Sequence, residues 1–137
     1  MLSPGGVNVS GPKPVLVEGT SLTFVALGQL PGALVKWFLQ SMGVNGLCKM
    51  LGEDKSREAI AKTAFGYCDG KKIIIATGEL KGTIAEHPRG EQGFGWDPIF
   101  IPQGHKLTFA EMSPEQKNEI SMRRLALENL KPFLMER

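Results

Sequence analysis

At 137 residues the chain can hold one domain with a real core, and 42% apolar against 22% charged residues is an ordinary globular balance. A net charge of +2, with no Lys/Arg run or basic-aromatic stripe, argues against a nucleic-acid surface. No apolar run approaches the ~20 residues of a membrane span, so neither nucleic acid nor membrane is expected as a partner.

Residues 1–14, "MLSPGGVNVSGPKP", are rich in Gly, Pro and Ser and read as a disordered lead-in. They hold no apolar signal core, and Cys48 and Cys68 form no CxxC pair. Free thiols in a reducing, cytoplasmic setting are therefore expected. "VLVE", Val15 to Glu18, is short and β-branched and predicts a buried strand with Glu18 at its C-terminal end. "LPGALVKWFLQSMG" predicts a helix with Pro31 near its start and Gly43 just past its end. Leu34, Trp37, Phe38 and Ser41 would share its face. A second short helix is predicted over Gly46 to Gly52.

Two strand-like runs follow, Glu58 to Cys68 and Lys71 to Glu86, joined at Asp69-Gly70, a strong hairpin signal. Gly78 and Gly82 inside the second run suggest a bulge or bend. His87 to Pro98 reads as a loop and Ile99 to Ile101 as a short strand. "SPEQ" then gives an N-cap Ser113, Pro114 at the first helical position and Gln116 closing a capping box. The helix is expected to run on towards Phe133, with Ile120, Leu127, Leu130 and Leu134 lining one face. Strands mixed with helices predict an α/β fold.

Three places could carry chemistry. In "GFGWDPIFIP", Gly93 to Pro102, Gly95 admits close backbone approach, Phe94 and Trp96 offer flat apolar faces, and Asp97 can accept hydrogen bonds. Those parts suit a planar heterocycle; equally, the stretch is a tight turn whose aromatics join the core and whose Asp caps local N–H groups. Lys117, Ser121 and Arg124 fall on one helical face with Arg123 beside them, which suits phosphate or is a solvated polar face. Glu18, at a strand end, could hold Mg²⁺ or be an ordinary strand-end residue. Lys36 on the first helix is no more specific. His87 and His105 have no zinc spacing, and no GxSxG or GxxxxGK[ST] motif occurs.

Together these segments resemble the Ham1 family, the inosine triphosphate pyrophosphatases. The resemblance runs from about Pro14 to Leu134 on "VLVEGTSLTFVALGQLPGALVKWFL", "GFGWDPIFIP", "TFAEMSPEQKN" and "SMRRLAL", in order. It implies an α/β domain over 15–137, a mixed twisted sheet with flanking helices and a hairpin lobe, shortened at its N-terminus. It implies hydrolysis of ITP, dITP or XTP to the monophosphate and pyrophosphate with Mg²⁺, and a homodimer. Phe94, Gly95, Trp96 and Asp97 would contact the base. Lys117, Arg123, Lys36 and Thr20 would bind base or phosphate, and Glu18 would be the catalytic, metal-binding carboxylate. The chain departs from the family pattern in three ways. Gly19 stands where the family has a second carboxylate, and Met122 where it has a histidine. "MLSPGGVNVSGPKP" stands where the family carries a strand-turn-helix for the triphosphate. The departures imply slowed turnover, or an inactive nucleotide-binding or interaction module.

Overall fold

The computed structural model describes residues 14–52, 56–93 and 95–135. The expected lead-in therefore lies outside the described residues apart from Pro14. Five strands form one sheet: β1 (Val15–Phe24), β2 (Pro31–Gly32), β3 (Glu58–Cys68), β4 (Ile73–Ile84) and β5 (Phe100–Pro102), in the order β2-β1-β3-β4-β5. The α/β content and the β3–β4 hairpin lobe are as expected, and every pairing among the described residues is antiparallel. Three helices flank the sheet: α1 (Val35–Lys49), α2 (Pro114–Ile120) and α3 (Met122–Met135).

The hairpin is where local chemistry dictates structure most directly. Asp69 Oδ1 accepts from the backbone N–H groups of Lys71 and Lys72, both at 2.9 Å, and Gly70 takes φ 87°. These two bonds hold the Asp69 carboxyl below its ordinary value, with the Lys72 charge a lesser cause. A lowered folded pKa means that the contribution is present above the unfolded value of 3.8 and is lost as pH falls through the folded one. Amide hydrogen exchange at Lys71 and Lys72, corrected for the intrinsic pH dependence, is thus expected to lose protection on acidification below about pH 4 while the centre of β3 keeps its own. Equal loss at both places would contradict this.

Several expectations are corrected. β1 is not a short buried strand: it runs ten residues, its first half is half-buried or exposed, and only Leu22 and Phe24 are buried. Glu18 consequently sits in mid-strand, opposite Phe65, and not at a strand end. Pro31 pairs in β2 against Thr23, four residues before α1 begins. The break at Gly43 (φ 69°) and the helical turns after it are as expected. The apolar face expected on α1 is split: Trp37 is 62% exposed and Leu34 is also exposed, whereas Val35 is buried and Phe38 and Leu39 pack on the core. No bulge interrupts β4, whose register with β3 is continuous. Its glycines make room instead. A Cβ on Gly78 would collide with the Met122 carbonyl and the Ala126 amide, so α3 lies directly on the strand there, and Gly82 leaves space for the Phe100 ring.

The C-terminal helix is two helices. Ser113 caps α2 with the expected box: its N–H donates to Gln116 Oε1 (3.0 Å) and its Oγ accepts from Gln116 N–H (3.2 Å). The chain then leaves helical geometry at Ser121 (φ −69°, ψ 150°), and Ser121 Oγ accepts from Arg124 N–H at 3.2 Å to start α3. The inner face of α3 is Met122, Ala126 and Leu130, and Leu127 turns outward.

The core falls into two clusters. The larger packs Leu22, Phe24, Leu47, Ile84, Ile99, Phe100 and Phe109; the smaller holds Phe65, Ala76, Ala126 and Leu130. Arg57 ties α1 to the sheet, its Nε donating to the Ile84 carbonyl (2.7 Å) and its Nη2 to those of Ala85 (2.6 Å) and Cys48 (3.1 Å). Burial pushes the Cys48 thiol up, against a smaller opposing effect of the Arg57 charge. Cys48 and the exposed Cys68 are both free. Among the described residues no helix is long and apolar enough to cross a membrane.

Candidate functional site

Between the two clusters the inward face of β3 passes from Ala61 through Thr63 to Phe65, and there a cavity of about 470 Å³ opens. Its floor is sheet: Glu18 and Thr20 from β1, Thr63 from β3. Gly95, Trp96 and Asp97 close one side, and Lys117, Asn118, Ser121, Met122 and Arg123 come from α2, the break and the start of α3. Four stretches spread over about a hundred residues of sequence thus converge.

Of the residues expected from sequence, Glu18, Thr20, Gly95, Trp96, Asp97, Lys117 and Arg123 line this one cavity. Lys36 does not: it lies exposed on α1 and lines none of the cavity. Phe94 lies outside the described residues. The expected stripe of Lys117, Ser121 and Arg124 is not formed. The break at Ser121 resets the helical phase, so Arg123 faces the cavity, while Arg124 Nε bonds Glu128 Oε1 one turn on at 3.0 Å. Thr63 and Asn118 were not anticipated. For Thr63 the signal was available, a hydroxyl at an inward position of a strand that otherwise alternates Ala59, Ala61, Phe65.

Two cation–carboxylate pairs set the electrostatics. Lys117 Nζ donates to Asp97 Oδ2 at 2.6 Å, with the lysine side chain 21% and the carboxylate 7% exposed. Glycine at position 93 (φ 76°) lets the Asp97 carboxylate lie against the loop, because a Cβ there would overlap it. The second pair, Arg123 Nη2 to Glu18 Oε1 at 2.9 Å, is more open to water. An exposed pair of this kind contributes about 0–1 kcal/mol and is easily exchanged for another partner. Trp96 is only 8% exposed; its ring meets Phe100 edge-on at 5.5 Å, so it belongs to the core as well as to the cavity wall. Lys117 Nζ also stands 5.5 Å from the centre of the Phe109 ring.

Position 19 is on the other side of the sheet. Gly19 lines a separate hollow with Ser21, Thr23 and Lys62, as strand alternation requires. A carboxylate at 19 would leave the strand away from Glu18. The two could share an ion only around the edge of β1, which has no strand neighbour from Val15 to Ser21 on that side among the described residues. Nor do three Asp, Glu, His or Cys side chains among the described residues cluster to hold a metal. A single carboxylate such as Glu18 could give one oxygen to a hard divalent cation, the remaining oxygens having to come from water or a bound anion.

A family model described as the Ham1 family matches residues 7–133. The chain is 51% identical over 127 residues to an inosine triphosphate pyrophosphatase of Yarrowia lipolytica, covering 91% of this chain and 67% of that protein. It is 48% identical over 125 residues to an inosine triphosphate pyrophosphatase of Batrachochytrium dendrobatidis, covering 90% and 65%. The fold superposes with a TM-score of 0.83 on a HAM1 protein from Coxiella burnetii, at 32% identity and covering 91% and 68%. The chain thus spans about two thirds of the length of the curated relatives it matches. Extended similarity of this kind, across both sequence and fold, has one reading: the chain belongs to the Ham1 family.

Proposed function

We propose that this chain is a nucleoside triphosphate pyrophosphatase for non-canonical purine nucleotides such as ITP, dITP and XTP, working more slowly than family members that carry the second carboxylate and the histidine. The observation that carries it is the convergence in one cavity of the buried Asp97–Lys117 pair, the Trp96 wall and Arg123. Asp97 accepts from ring N–H groups and Lys117 orients that carboxylate. Arg123 exchanges Glu18 for a phosphate, and the freed Glu18 orients the attacking water and takes its proton. Water adds to the α-phosphorus and the bond to the bridging oxygen breaks, giving the monophosphate and pyrophosphate. Magnesium, when bound with the triphosphate, would neutralise charge on the leaving pyrophosphate.

The slowing rests chiefly on Met122, which lines the cavity where the family pattern has an imidazole, whereas a carboxylate at position 19 would act only around the edge of β1. Loss of one general acid–base group costs ~10²–10⁴-fold. From the middle of the ordinary range of roughly 1–10³ s⁻¹, about 10 s⁻¹, pyrophosphate release from ITP with Mg²⁺ is expected at or below about 0.1 s⁻¹. A rate within the ordinary range would refute the slowing; no release would leave the second reading, a nucleotide-binding or interaction module. The Arg123–Glu18 pair favours that second reading, since it engages the one cavity carboxylate that is free of Lys117.

A single domain over 15–137, a cytoplasmic setting and a homodimer complete the proposal. Two free cysteines support the setting. The exposed Ile73 and Ile75, on the uncovered face of the hairpin, support self-association.

A further inference from the structure

Thr63 is fully buried, and its Oγ1 has no hydrogen-bond partner. Its backbone is satisfied by the ladder, with Thr20 opposite on β1 and Gly78 opposite on β4. Thr63 is one of the residues that form the cavity's floor. A buried hydroxyl left without a partner is a net cost to folding, and nearly all such groups in native proteins find one. The neighbouring inward positions, Ala61 and Phe65, are apolar, and valine would fill position 63 at the same volume without that cost.

We propose that Thr63 is a ligand-positioning residue, its Oγ1 hydrogen-bonding a neutral polar atom in the nucleoside half of the bound nucleotide. This rests on the reading of the cavity as a purine nucleotide site. A neutral atom is the fitting partner. Between Ala61 and Phe65 a phosphate oxygen would be dehydrated with no cation from the strand to offset its charge, whereas Lys117 and Arg123 supply cations elsewhere on the wall. The hydroxyl then gives the sheet side of the cavity a polar contact that Asp97 and Lys117 provide from loop and helix.

The test uses Thr63→Val and Thr63→Ser in a Trp37→Phe background, where Trp96 is the remaining tryptophan reporter. Inosine and IMP are titrated by fluorescence, and melting is followed in parallel. Thr63→Val is expected to melt about 2–4 °C higher, because an orphan hydroxyl gives way to a methyl. It should bind inosine and IMP about 5- to 10-fold more weakly, the two by the same factor. Thr63→Ser should stay within about 2-fold of the parent, since a serine hydroxyl makes the same bond. Unchanged binding by Thr63→Val overturns the proposal and leaves the cavity reading standing. So does weakening confined to IMP, which would place the contact on phosphate, or a lower melting temperature for the valine variant, which would mark a hydroxyl the fold itself uses. A parent chain silent to both ligands at millimolar concentration removes the cavity reading and this contact together.

Discussion

Asp97→Ala is expected to weaken IMP binding at least tenfold and to lower the melting temperature by roughly 6–10 °C. Both effects have one origin. Asp97 is buried and Lys117 mostly so, at 2.6 Å. Removing one partner of a buried pair costs about 3–5 kcal/mol because the other charge is stranded. Lys117 keeps a fifth of its side chain in water, so about 2–3 kcal/mol is the expected share here. A double variant, Asp97→Ala with Lys117→Met, removes both charges and should recover most of the melting temperature. It should not recover IMP binding, because the acceptor edge is still gone. Lys36→Ala, on the exposed side of α1, should change affinity less than about twofold, within the usual effect of a remote surface substitution. If the single Asp97 variant melts with the parent, the pair contributes nothing and the electrostatic account of the site fails.

Gly78→Ala is expected to cost about 3 kcal/mol, the upper end of ordinary overpacking, and so roughly 10 °C in melting temperature. The obstacles to its methyl are backbone: the Met122 carbonyl oxygen and the Ala126 amide nitrogen, with Leu125 Cβ at 2.7 Å. None can swing aside as a side-chain tip would, so α3 must lift from β4. The seam includes the bond from Asn129 Nδ2 to the Thr77 carbonyl at 2.7 Å, and hydrogen exchange should quicken along α3 before it does along β3. Chemical denaturation of the variant measures the cost; a midpoint within error of the parent's would show that the helix gives way freely.

What was legible in the sequence was local. Ser113 with Gln116, Asp69 with Gly70, and the glycine at 43 act through bonds and dihedral preferences within a few residues, and each stands where its residues predict. The convergence of Gly95, Trp96 and Asp97 with Lys117, Arg123 and Glu18 was legible only through resemblance, because no local rule links positions so far apart. Three features were hidden for physical reasons. β1 looked short because its inward face turns polar at Glu18 and Thr20, where it floors the cavity and needs no apolar side chains. The break at Ser121 was masked by an apolar period that carries across it. The outward position of Leu34 and Trp37 was hidden because apolar spacing marks a stripe without saying which side of a helix meets the sheet.

The interruption at Ser121 also bears on how such a site can change over generations. In one continuous helix any adjustment of pitch or phase near Lys117 would be passed on to Arg123. Here a single extended residue uncouples the two. α2 carries the group that holds Asp97 and is free of the packing seam under α3, while α3 carries Arg123 and is pinned at Gly78. Substitutions that retune the Asp97 side can therefore accumulate on α2 without moving the arginine, and drift on α3 is checked by the sheet and not by the ligand. Two short helices let recognition of one part of a ligand diversify while the geometry at another stays under independent selection.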